Sequence, residues 1–240
     1  MLVLFAGLMT VNSFAGVLVK ETFEKGTLET PGAVSPALEL VKTDDGQTMK
    51  IADWPSKIVF PAKSSINLDD GTLEFRIKFS VEPAKIMDKS WSMFRAYTGS
   101  AFKNGFFIQF GWKSGLMFIV CDKSGQRFAL NYPQIRDWKA DEWHQVAVSW
   151  KIKNPGESQI SLNIDYKPVA TQSGLTIEFD KDAWQKRIAF EGTEQASQKP
   201  DFLNGGVIFG NWGEKMTPDY WTADDITIYD TVVTFSEKSL

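Results

Sequence analysis

The sequence predicts an all-β protein, a jelly-roll β-sandwich of two antiparallel sheets. Apolar and polar residues alternate with period two in run after run, short Gly-containing turns separate the runs, and one stretch alone carries a helix start signal. The longest alternation lies at 141–153, where His144, Val146, Val148, Trp150 and Ile152 share one face and Trp143, Gln145, Ala147, Ser149 and Lys151 the other. Lys153-Asn154-Pro155-Gly156-Glu157 then turns the chain, because Pro presets φ and Gly accepts a positive one. Beyond the turn Ile160, Leu162 and Ile164 alternate with Ser161, Asn163 and Asp165, so the two runs make a hairpin.

The other elements follow in chain order. Residues 16–24 read as a first strand, Pro31, Gly32 and Pro36 as a loop, residues 57–61 as a short strand, and Asn67-Leu68-Asp69-Asp70-Gly71 as a turn. Next, Leu73, Phe75, Ile77, Phe79 and Val81 face one way and Glu74, Arg76 and Lys78 the other, the signature of a strand with one buried and one wet face. Residues 106–112, 116–121 and 127–132 form a meander across Lys113-Ser114-Gly115 and Lys123-Ser124-Gly125. Its middle strand is apolar at both parities, which predicts cover on both faces. Asp180 begins the helical stretch 180–188 as its N-cap, residues 191–200 are polar loop, and strands at 205–212 and 221–229 complete the chain.

Composition sets the bounds. With 240 residues, 43% of them hydrophobic and 13% aromatic, residues 16–240 can bury one large core as a single domain. The 26 Lys and Arg are scattered and the net charge is −4, which argues against a nucleic-acid partner. Residues 2–11 are nearly all apolar and Ser13-Phe14-Ala15 places small residues at a cleavage site, so residues 1–15 read as a signal peptide and the protein as secreted, periplasmic or at the cell surface. That run falls short of the roughly 20 residues of a membrane span. Cys121 has no cysteine partner in the chain and reads as a buried strand thiol.

Three stretches resemble a known family. Trp143-His144-x-Val146-Ala147 with its hairpin and Asp165-Tyr166-Lys167-Pro168-Val169-Ala170, the strand Gly-Gly-Val-Ile-Phe-Gly-Asn-Trp at 205–212, and Ala-Asp-Asp-Ile-Thr-Ile-Tyr-Asp at 223–230 are similar to the laminin-G-like, concanavalin A-like lectin/glucanase superfamily. Where that family has Asp-Gly-Lys this chain has Asp165-Tyr166-Lys167, so its turn must be built without glycine. The resemblance implies the sandwich, and it leaves lectins, hydrolases and adhesion modules open.

Carbohydrate recognition needs flat apolar surface beside polar groups. Trp91, Trp112, Trp212, Trp221 and Tyr220, with Asn211 and Asp219 as polar neighbours, lie beside turns and are the candidates, against a core role for each. By parity Asp224 points inward with Ile226 and Ile228, where a carboxylate must be paired, hydrogen-bonded or metal-bound. The resemblance implies a structural Ca²⁺ between Asp224 and oxygens near Glu24 and Gly26; the alternative is a carboxylate accepting backbone or Trp N–H bonds. The glucanase branch uses a Glu-x-Asp-x-Glu strand, to which Glu178, Asp180 and Asp182 approximate, with a capping role for Asp180 as the simpler account. His144 lies in an inward row and reads as a hydrogen-bonded imidazole. The expectation is an exported, non-catalytic binder of glycan or polysaccharide; a glycoside hydrolase and a structural or protein-binding adhesion module for a cell-surface protein are the alternatives.

Overall fold

The computed structural model describes residues 16–30, 33–34, 38–43, 46–51, 57–98, 103–111, 113–191, 207–213 and 221–235. The strands are β1 (Val17–Glu21), β2 (Ala33–Val34), β3 (Glu39–Thr43), β4 (Gly46–Ile51), β5 (Lys57–Phe60), β6 (Asp70–Phe79), β7 (Ser90–Tyr97), β8 (Gly105–Gly111), β9 (Gly115–Cys121) and β10 (Arg127–Tyr132). They continue with β11 (His144–Lys151), β12 (Ser158–Ile164), β13 (Lys167–Leu175), β14 (Val207–Gly213) and β15 (Trp221–Tyr229). Helices α1 (Ala62–Ser65) and α2 (Lys181–Glu191) sit between β5 and β6 and between β13 and β14. Among the described residues no helix is long and apolar enough to cross a membrane.

Two antiparallel sheets result. One runs β13-β12-β11-β6-β15-β4-β3 with β1 also pairing β15, and the other runs β10-β9-β8-β7-β14-β5-β2. In the first, β11 aligns Val146 with Phe75 and Val148 with Leu73 on β6, and aligns Val146 with Ile164 and Val148 with Leu162 on β12. The inward rows of three strands thus meet, as their period-two patterns require. Phe75 meets Phe209 of the opposite sheet edge-on at 5.0 Å, and Phe106 of that sheet lies 4.6 Å from Trp150. Such ring pairs add about 0.5–1.5 kcal/mol to the burial of their area.

The doubly apolar middle strand of the meander behaves as its pattern predicts. Leu116, Phe118 and Val120 join the main core, while Met117, Ile119 and Cys121 form a second buried cluster with Phe107 on the other face. The predicted N-cap also forms, the Asp180 carboxylate accepting the Ala183 N–H at 2.9 Å. The hairpin turn without glycine places Asp165 at φ 50° and Tyr166 at φ 64°. Two bonds to one side chain and backbone compensate: Asp165 Oδ1 accepts the Gln145 N–H at 2.9 Å, and the Tyr166 N–H donates to Gln145 Oε1 at 3.0 Å.

The β3–β4 hairpin, β7 and α1 go beyond the sequence expectation. Where β1 begins and β15 has just ended, the Gly16 N–H donates to Asp230 Oδ1 at 2.8 Å and the Asp230 N–H to the Gly16 carbonyl at 3.0 Å. After Asp230 the chain turns back over the first sheet, the Val232 N–H donating to Asp70 Oδ1 at 2.8 Å and the Val233 N–H to Thr72 Oγ1 at 3.0 Å.

Candidate functional site

The wet face of the first sheet is where side-chain chemistry concentrates. On β6, Glu74, Arg76 and Lys78 alternate with the fully buried Leu73, Phe75, Ile77 and Phe79, and so all three point away from the core. Trp143 lies half-buried just before β11, with the Arg76 guanidinium 4.7 Å and the Lys78 ammonium 5.0 Å from its ring centre. Gln145 Nε2 donates to Glu74 Oε1 at 3.1 Å, and the Tyr229 hydroxyl donates to Glu74 Oε2 at 3.4 Å. Burial, and then the Glu74 charge, raise the pKa values of Tyr166 and Tyr229, which keeps both phenols neutral hydrogen-bonding groups. Three half-buried aromatics are thus interleaved with amide, carboxylate and guanidinium groups on one face.

His144 begins β11 beside this face. Its Nδ1 lies 2.9 Å from Asp165 Oδ2 and its ring stacks on Trp138 at 3.8 Å and 12°. It is the hydrogen-bonded imidazole that its row predicts, fixed by two neighbours.

The last strand departs from simple alternation at Asp224. Trp221 and Ala223 pair with Phe79 and Ile77, Asp224 pairs with Arg76, and the register then shifts before Thr227 pairs with Glu74. Asp225 takes φ 50° at this bulge. The inserted residue resets parity, so Asp224 stands on the Arg76 side of the sheet and not with Ile226 and Ile228. It is nonetheless buried, accepts the Asp225 N–H at 2.9 Å, and lies 3.9 Å from Arg76 Nη1. Burial and then the charge of Asp225 push its pKa up to about 6, with Glu24 adding to the rise. Glu24 in turn accepts the Gln47 N–H at 3.3 Å. A buried carboxylate so poorly compensated suits a hard cation, for which Asp224 and Glu24 could supply oxygens together with main-chain carbonyls near Gly26. Among the described residues no three His, Cys, Asp or Glu side chains cluster as a metal site, so main-chain oxygens would have to complete the set.

Two of the sequence-selected aromatics belong to the core. Trp91 is 2% exposed and packs on Phe110 at 4.4 Å, and Trp221 is 1% exposed against Phe209 at 6.0 Å. Proximity to a turn misled in both cases, because each ring sits at an inward register position, where large apolar area is driven from water. Trp112, Asp219 and Tyr220 lie outside the described residues. Asn211 and Trp212 have backbone positions on β14, and their side chains lie outside the description as well.

Glu178, Asp180 and Asp182 do not line one face of a strand. Glu178 pairs with Lys123 at 2.6 Å, Asp180 caps α2 and donates its N–H to Asn104 Oδ1 at 2.7 Å, and Asp182 is exposed in the first turn of α2. The helix start separates them, which removes the hydrolase arrangement the stretch suggested. Trp143 is not among the aromatics that lie beside turns in the sequence, yet its parity with Lys151 and the outward parity of Arg76 and Lys78 mark it as a residue of the wet face.

A scan against protein-family models gives no match, and no curated protein sequence matches. Solved structures do match. The binding domain of Paraclostridial Mosquitocidal Protein 1 superposes with a TM-score of 0.66 at 14% identity, over 92% of this chain and 50% of that one. The receptor binding domain of botulinum neurotoxin D gives 0.63 at 11%, over 90% and 50%. The serotype D ligand binding domain in complex with N-acetylneuraminic acid gives 0.63 at 11%, over 92% and 49%. The chain spans about half the length of these neighbours, and at such identities the likeness is one of fold, the β-sandwich.

Proposed function

We propose that the chain is an exported, non-catalytic module of the laminin-G-like, concanavalin A-like kind that binds glycan through the wet face of its first sheet. One observation carries this reading: Trp143, Tyr166 and Tyr229 are half-buried there among Arg76, Glu74, Gln145 and Asp225, apolar ring surface beside hydrogen-bonding groups. The spending of Glu178, Asp180 and Asp182 on an ion pair, a cap and a helix turn supports the non-catalytic part. That the solved neighbours are binding domains, one of them complexed with N-acetylneuraminic acid, agrees with a recognition module. Trp112, Asn211, Trp212, Asp219 and Tyr220 form a second proposed contact region on sequence grounds, and Asp224 with Glu24 and the Gly26 region a proposed structural calcium site.

The test is a glycan-array and polysaccharide-binding screen with and without EDTA, with reducing-sugar release followed on every hit. Binding without release, weakened at least tenfold by Trp143→Ala, supports the reading. Sugar release would place the chain among hydrolases, and binding of a surface protein with no glycan hit would favour an adhesion module.

A further inference from the structure

At one end of the sandwich a cavity of about 510 Å³ opens between α1 and α2. That lies within the roughly 300–1,000 Å³ of small-molecule sites. Leu18 of β1, Ile66 and Leu68 after α1, and Trp184 and Ile188 of α2 give it an apolar lining. Trp184 is 2% exposed and its indole N–H meets no acceptor among the described residues.

Lys63, Asn67, Asp69, Lys181 and Gln185 make up the polar rim, and three of these five are already engaged. Lys181 is paired with Asp69 at 2.7 Å. The Asn67 amide donates to the Asp230 carbonyl at 3.0 Å and accepts the Asp69 N–H at 3.0 Å. Lys63, within the single turn of α1, makes no ion pair among the described residues. Two ammonium groups therefore stand against one carboxylate in a chain whose net charge is −4. The Lys63 ammonium offers a counter-charge to an anion, the apolar walls favour hydrocarbon over hydroxyls, and beside it only the Gln185 amide is left among the described residues to satisfy a sugar.

We infer that this groove is a binding site for a small organic anion with an apolar body, an alkyl or aryl carboxylate, whose body lies along Leu68, Trp184 and Ile188 and whose carboxylate meets Lys63. Its lining shares no residue with the glycan contacts proposed on the wet face of the first sheet.

Calorimetric titration of the chain with octanoate, octan-1-ol and glucuronate tests this, with the Trp184 indole N–H followed by NMR. Octanoate binds saturably and shifts that resonance. Lys63→Ala weakens octanoate about tenfold, the loss of one charge-assisted contact, and leaves octanol unchanged. Ile188→Glu and, independently, Leu68→Glu abolish both while circular dichroism is retained. Absence of saturable binding, indifference to all three substitutions, or tighter binding of glucuronate than octanoate overturns the inference. Trp143→Ala leaves octanoate binding unchanged, so failure here is distinct from failure of the glycan reading.

Discussion

Trp150 and Gly71 are cross-strand partners on β11 and β6, and the indole fills the space a side chain at position 71 would need. A Cβ there would lie 2.3 Å from Trp150 Cζ2. The ring cannot readily yield, being fully buried with its N–H donated to the Asn67 carbonyl at 2.8 Å. Gly71→Ala is expected to cost about 1–3 kcal/mol, the usual penalty for overpacking a core, read as a lower urea midpoint at unchanged slope. An unchanged midpoint would mean that the ring shifts freely.

Asp224 gives stability a pH dependence of definite sign. Its folded pKa of about 6 exceeds the unfolded value of about 3.9, so the folded state holds the proton more tightly. Stability is highest below about pH 4, falls as pH rises through the interval to about 6, and is level above it as far as this group is concerned. In metal-free buffer Asp224→Asn is expected to stabilise the protein at pH 7 by up to about 2–3 kcal/mol and to change little at pH 4. With calcium present the proposed site reverses the order at pH 7, the native chain becoming the more stable. Urea unfolding at the two pH values, with and without calcium, checks both statements.

At the turn after β12, Tyr166→Gly is expected to separate stability from binding. Glycine accepts the φ of 64° without the cost of roughly 1 kcal/mol that a side chain incurs there. It also removes a ring from the wet face. The variant should melt no lower than the native chain while losing glycan affinity; a large drop in melting temperature would show that the Tyr166 ring, which lies 6.4 Å from Phe235, is needed for packing.

Removing the cap of α2 should be felt locally. Asp180→Ala leaves the Ala183 N–H unbonded and is expected to cost about 1 kcal/mol, seen as faster amide exchange in the first turn of α2. Glu178→Gln and Asp182→Asn should leave glycan binding intact with no sugar released before or after the change; release from the native chain that either substitution abolishes would mark a catalytic pair.

The fold was legible because alternation survives wherever a strand has one buried face: β6, β11 and β12 stand where their patterns put them, and Asp180 begins its helix. The site was less legible for physical reasons. A bulge adds a residue without announcing itself, so the parity of Asp224 followed from Ile226 and Ile228 when the register shift lay between them. Tryptophan beside a turn is ambiguous, since Trp91 and Trp221 end inside and Trp143 on the wet face, and the distinction is made by partners such as Phe110, Phe209 and Arg76 that only pairing reveals. The groove between α1 and α2 is assembled from residues up to 170 positions apart, Leu18 to Ile188, and no local pattern encodes it.

The bonds joining Gly16 to Asp230 bear on how the protein meets mechanical load. Because β1 and β15 run antiparallel with Val17 beside Tyr229, tension applied between Gly16 and Asp230 pulls on one hydrogen bond at a time, as a zipper opens, and not on the whole ladder in shear. The domain is therefore expected to yield at its first strand under modest force while the meander behind it stays closed, and to re-form from that intact remainder when the load is released.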